Sequence, residues 1–255
     1  MCRFAIVLTC LLGLTLTVVA QPAIGTAAPN FTLNNVNGSG PVSLSSFLGE
    51  VVLLNFFGAT CGDCIEDAPL TEAIYQMYQT NPDFNIIGID VWNLPAVYVN
   101  GTFRAQTGVT YTLLANGRTT GYAYNMEVNP VPSATDNEHR GYVIVDREGI
   151  MRHYWIYHPF DVTQQQEIIC ALNRMLAIPP SVPQRVVILT NDDGDPFKLC
   201  WDPVPCATNY LVFRSLAGDW SDETLVESTT LYVYSIAEVP FGLTMYRVVA
   251  VNAAP

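Results

Sequence analysis

Two cysteines separated by two residues, Cys61 and Cys64 in Gly58-Ala59-Thr60-Cys61-Gly62-Asp63-Cys64, carry the plainest chemical potential in the chain. Such a pair can hold zinc, close a structural bridge, or cycle between dithiol and disulfide. Structural zinc needs four ligands, usually from a second Cys-x-x-Cys or a His pair. Here Cys200 and Cys206 have the wrong spacing, and His139, His153 and His158 are scattered. A permanent Cys61–Cys64 bridge would close so short a loop that it would remove little chain entropy. A redox pair needs one stabilised thiolate to attack and a second thiol to resolve the mixed disulfide. Asp63 and Asp67 are the nearby groups able to shift the thiols or carry their protons. A solvated helix position is the bland alternative for Asp67.

The flanking pattern supplies what a redox pair requires. Residues 51–57 form an apolar run without polar alternation, as expected of a parallel strand buried on both faces. Residues 63–79 follow with helical spacing, with Leu70, Ile74 and Met77 expected on one buried stripe. Cys61 then falls at a helix start, where unpaired N–H groups and the positive dipole end favour a thiolate. Cys64 lies one turn deeper on the same face. Pro69 is expected to kink this helix. Further strands are expected at 84–91, 142–146 and 151–157, the last two as a hairpin, with helices near 99–106 and over 162–176, the second capped by Asp161. The order implies a mixed sheet with helices on its faces.

Residues 1–20 read as an export signal: Arg3, an apolar stretch, and small side chains before Gln21. No later segment is long and apolar enough to cross a bilayer, so the reading is a chain exported to a periplasmic or extracellular space, with no stable membrane insertion once the signal is removed. Disulfides persist there. A formal net charge of −12, with Lys198 the only lysine, argues against nucleic acid as a partner. No cofactor and no metal is implied.

Residues 179–184 are proline-rich and read as a stiff linker. Strand patterns follow at 186–189, 197–201, 210–214, 231–235 and 246–251, suggesting a small β-sandwich over 185–255. The acidic stretch 191–195 reads as a solvated hairpin loop rather than a calcium site. Residues 199–215 and 239–252 resemble a fibronectin type III domain, with Trp201 at its core tryptophan position and Tyr246 at its tyrosine corner. The sequence reaches Pro255 where a seventh strand would begin, so the expectation is either a six-stranded domain with an open edge, lacking its last strand, or a partner strand that comes from elsewhere.

Residues 25–69, with Ala28 to Leu33, Leu44, Phe47-Leu48-Gly49 and the strand ending at Phe57, resemble the thioredoxin-like redoxins, the superfamily of thiol-specific antioxidant proteins and periplasmic thiol-disulfide oxidoreductases. The resemblance extends to about Leu176 and implies a thioredoxin-like fold over 21–178. It makes Cys61 the attacking cysteine, Cys64 the resolving one, and puts Asp67 in the place of an active-site glutamate. Thr60 stands where a tryptophan is usual, and Asp63 where proline or a neutral residue is common. The superfamily places a cis-proline against the dithiol. Two positions compete for it here: Pro132, if 133–141 is an insertion, or Arg140 by direct spacing. The uninterrupted run from Glu138 into the strand favours Arg140, which would support the thiolate and obstruct peptide-like substrates. Cys200 and Cys206 are expected to form a structural disulfide, and Cys170 to be a buried core thiol.

The expected function is thiol-disulfide exchange with protein thiols, disulfides or a redox partner protein. Peroxide reduction by the same cysteines is one alternative. A non-enzymatic surface or matrix protein using the redoxin fold as scaffold is another.

Overall fold

The computed structural model describes residues 22–126, 140–156, 160–189, 197–236 and 244–252. The export signal, Pro132, His139 and the acidic stretch 191–195 lie outside the described residues.

A hairpin of β1 (Thr32–Asn34) and β2 (Pro41–Ser43) precedes the central strand β3 (Val51–Phe57), which is buried along its whole length. Helix α1 (Gly62–Tyr78) leads to β4 (Phe84–Asp90). Three consecutive helical turns follow: α2 (Ala96–Tyr98), a π-helical turn Val99–Phe103, and α3 (Arg104–Thr107). After them come β5 (Thr112–Leu114), α4 (Arg118–Ala123), β6 (Gly141–Val145), β7 (Met151–Trp155) and α5 (Val162–Met175). The sheet order is β5-β4-β3-β6-β7. β3, β4 and β5 run parallel, while β6 and β7 are antiparallel to their neighbours. This is the mixed, helix-flanked sheet of a thioredoxin-like fold.

Register positions the site. β4 pairs with β3 so that Asp90 lies opposite Phe57, and β6 pairs so that Gly141 lies opposite Phe56. The last residue of β4 and the residue before β6 therefore flank the end of β3, where the dithiol begins.

Helix α1 runs through Pro69, and it buries Cys64, Ala68, Thr71, Ile74 and Tyr78. The expected stripe is corrected: Met77 is 57% exposed. Residues 64, 68, 71, 74 and 78 fall on one helical face, so turning Cys64 toward the sheet turns Met77 out. At α5 the expected cap is present: Asp161 accepts from the Thr163 N–H (2.7 Å), and Gln164 accepts from the Asp161 N–H (3.0 Å).

The C-terminal part holds two three-stranded sheets. One has the order β12-β9-β8, from β8 (Val187–Leu189), β9 (Phe197–Cys200) and β12 (Val233–Ile236); the other has the order β11-β10-β13, from β10 (Asn209–Ser215), β11 (Thr224–Thr229) and β13 (Met245–Val251). Leu199, Trp201, Val204, Tyr210, Val212, Val248 and Ala250 form its core. Strand β11 was not legible in the sequence: its residues are mostly exposed and show no apolar alternation.

The expected Cys200–Cys206 bridge is corrected. Cys206 is bonded to Cys170 of α5, with Cα atoms 4.8 Å apart, and Cys200 is a free thiol. Cys200 lies in β9 in register with Val187 and Val233, on the face opposite Leu199. Cys206 instead sits in a left-handed turn (φ 66°) packed against the core of the first part. Cys170 is accordingly not a core thiol. It is half of a covalent link between the two parts of the chain.

Candidate functional site

Cys61 is the N-cap of α1, with extended backbone angles (φ −72°, ψ 123°). Its sulfur accepts the Cys64 N–H at 3.2 Å. An amide donor and the positive end of a 17-residue helix thus both face this sulfur. The Cys61 N–H donates to Gly58 O at 3.0 Å, which closes the turn between β3 and α1. The two cysteines are buried, with 6% and 5% exposure.

Cys64 faces inward. Burial, then the hydrogen bond and charge of Cys61, push its thiol well above the ordinary value; the Gly58 amide and the Arg140 guanidinium pull the other way. The two sulfurs therefore differ: one is held at a helix terminus, the other is a reluctant acid that needs a base.

Arg140, 5% exposed, reaches across from the start of β6. One guanidinium nitrogen lies 2.9 Å from Asp67 and the other 3.3 Å from Asp63. Asp63 is largely exposed, whereas Asp67 is largely covered. Burial raises the Asp67 carboxyl to about 6, against the lowering influence of its Arg140 pairing. Cys64, Asp67, Thr71, Arg140, Tyr142 and Phe160 line a cavity of about 10 Å³, room for a single water. A carboxyl that titrates near neutrality beside a thiol of high proton affinity can act as its proton acceptor.

The sequence-predicted Cys61, Cys64, Asp63, Asp67 and Arg140 are thus brought together. Thr60 is exposed next to them. Cys200 and Cys206 lie elsewhere. Among the described residues, no group of three or more His, Cys, Asp or Glu side chains is placed to hold a metal.

Three supporting groups escaped the sequence reading. Asp90, fully buried, accepts from the Ala59 N–H (3.0 Å) and the Leu94 N–H (2.7 Å), so it ties the cysteine loop to the loop after β4. Burial raises its carboxyl, and four backbone N–H groups oppose that rise. Trp92 lies flat against Gly58: a Cβ there would be 2.4 Å from the indole ring. Tyr142 shares a hydrogen bond with Thr71 of α1 (2.7 Å), which fixes the helix against β6. Asp90 left one signal, a lone charge at the end of an apolar strand. Trp92 and Tyr142 left none, because apolar context is ordinary for both.

The chain is similar to curated proteins named thiol-disulfide oxidoreductase ResA. It is 29% identical to that of Geobacillus thermodenitrificans over 92 residues (36% of this chain, 51% of the relative), and 30% identical to that of Geobacillus kaustophilus over 112 residues (44% and 61%). It is 30% identical to that of Bacillus subtilis over 134 residues (50% and 72%). The chain thus spans about half to three-fifths of the length of the first two. Among solved structures, it is similar to a candidate protein disulfide isomerase from Bacteroides thetaiotaomicron, with TM-score 0.50 and 29% identity over 61% of this chain and 91% of the other. A yeast mitochondrial 1-Cys peroxiredoxin shares the fold, with TM-score 0.51 and 13% identity over 71% and 86%. The model of the AhpC/TSA family matches residues 24–154, more than half of the chain, and the protein belongs to that family.

Proposed function

We propose that this protein is an exported thiol-disulfide oxidoreductase that works through Cys61 and Cys64. The observation that carries the reading is the asymmetry of the two sulfurs: Cys61 accepts an amide N–H at the start of α1, while Cys64 is buried beside the Asp67–Arg140 pair. The ResA relatives support the same reaction class.

The Cys61 thiolate attacks one sulfur of a substrate disulfide. A Cys61–substrate bond forms, and the other substrate sulfur leaves as a thiolate. Cys64 then gives its proton to Asp67 and attacks the Cys61 sulfur. The Cys61–Cys64 disulfide forms and the second substrate thiolate leaves, so two electrons pass to the substrate. Run backward, the same steps oxidise a substrate dithiol. Arg140 holds Asp67 in place and offsets the charge of Asp63, which would otherwise disfavour the thiolate.

The partners are protein thiols and disulfides, or a redox protein that resets the pair. The slight exposure of both cysteines favours small substrates or disulfides that protrude from a partner's surface. That feature also supports the second reading, peroxide reduction by Cys61. The C-terminal strands are read as a fibronectin type III-like module over 185–255, joined by a linker at 179–184 and serving partner contact or spacing. The strand orders of its two sheets and the buried Trp201 support this.

Turnover of a disulfide-bonded protein and of hydrogen peroxide, measured side by side with dithiothreitol as reductant, tests the function. Disulfide turnover that vanishes in Cys61→Ser supports the proposal. Peroxide turnover alone would replace it with the second reading.

A further inference from the structure

A cavity near the junction of the two parts lies away from the dithiol. Its volume is about 580 Å³, within the range of small-molecule sites. Val51, the first residue of β3, lines it, whereas the cysteines follow the last residue of that strand, about 20 Å away at the rise of an extended chain. Its wall combines the β6–β7 turn, the end of α5, and Thr208 at the start of the C-terminal sheets. The Cys170–Cys206 bond fastens those parts to each other beside it.

We propose that this cavity binds a small organic anion, with a carboxylate or phosphate held by arginine and an apolar body packed on Val51, Ala171 and Met175. In a chain of net charge −12 with 11 Lys and Arg residues, three arginines line this one cavity. Two are engaged. Arg147 reaches Asp83 (3.0 Å) and Met175 O (2.8 Å), and Arg152 pairs with Asp146. The third, Arg174, is half-buried, and among the described residues no hydrogen bond or ion pair engages its guanidinium. A partly desolvated guanidinium without an acceptor is costly, and its planar fork matches a carboxylate or phosphate.

The charges facing the cavity are Arg147, Arg152 and Arg174 against Asp146 and Glu148, a surplus of one positive charge with His153 neutral. His153 is stacked on Trp155 (4.8 Å between ring centres), and burial and then Arg174 lower its proton affinity. A bound anion would reverse the second influence, which makes His153 a reporter of occupancy.

The test is calorimetric titration of the full chain with phenyl phosphate, benzoate and inorganic phosphate, with His153 followed by NMR. Saturable binding of phenyl phosphate or benzoate is expected, tighter than that of inorganic phosphate. It should weaken at least tenfold in Arg174→Met and partly recover in Arg174→Lys. The His153 pKa should rise on binding. The tighter of the two aryl probes identifies the anionic group. Equal affinity in wild type and Arg174→Met, or no saturable binding by either aryl probe, overturns the proposal. Disulfide exchange at Cys61 stays unchanged in Arg174→Met, so this result is separable from the reading of the dithiol.

Discussion

The Arg140 guanidinium lies 2.9 Å from the Asp67 carboxylate, and Asp67 sits three residues beyond Cys64 on the helix that Cys61 caps. The antiparallel register of β3 and β6 sets this relationship, because it delivers the residue before Gly141 to the end of the cysteine-bearing strand.

Replacing Arg140 with alanine removes the cation facing both Asp63 and Asp67. The Cys61 thiolate should become harder to form, and alkylation of Cys61 at pH 7 should slow by roughly tenfold, the equivalent of about one pKa unit. Arg140→Lys keeps the charge but loses the fork, and should fall between. Unchanged alkylation in Arg140→Ala would remove Arg140 from the account.

Asp67 titrates near 6, so its ability to accept the Cys64 proton is present above that pH and lost as pH falls through it. The resolution step, followed by quenched flow from a preformed Cys61 mixed disulfide, should slow below about pH 6. In Asp67→Asn this acid-side inflection should disappear and the step should slow at neutral pH, by the order of 10²-fold typical of general-base loss. For stability the sign is opposite to that of an acid whose pKa is lowered on folding, because burial outweighs the Arg140 pairing here. The folded state holds this proton up to a higher pH than the unfolded chain does, so Asp67 contributes a loss of stability between about pH 4 and 6.

Gly58→Ala would set a methyl group 2.4 Å from the Trp92 ring. The indole must move, and overpacking of this kind costs about 1–3 kcal/mol. Urea denaturation should show that loss, together with altered Trp92 fluorescence. A variant as stable as wild type would show that the loop after β4 gives way freely.

Cys206→Ala removes the link to Cys170, which spans 36 residues of sequence. Loop-closure entropy alone puts the stabilisation from such a bond at about 3–4 kcal/mol. Peptide mapping of unreduced protein should join Cys170 to Cys206 and leave Cys200 alkylated. A Cys200–Cys206 peptide would restore the pairing expected from sequence.

The frame of the site was legible because it is local. The apolar run 51–57, the helix after it and the cysteine spacing all lie within one continuous stretch. Arg140 was legible by its distance from the next strand, since strand register counts residues. The disulfide was misread because it depends on how the C-terminal part folds back on α5, and sequence proximity favoured Cys200. Met77 was misread for a related reason: an apolar residue on the edge of a stripe is turned in or out by its neighbours, here by Cys64. Asp90 and Trp92 act through backbone amides and ring packing, which spacing does not encode.

The central claim is that Cys61 and Cys64 form a reversible two-electron couple. Equilibrating the protein in dithiothreitol buffers of graded potential, then counting alkylated thiols at the two positions, tests it most directly. One transition is predicted, with a tenfold change in the oxidised-to-reduced ratio for about every 30 mV, lying within the roughly −270 to −120 mV spanned by thioredoxin-like couples, and absent in Cys61→Ser. Thiols at Cys61 and Cys64 that stay alkylatable across that whole range, or a transition that survives in Cys61→Ser, would contradict the account.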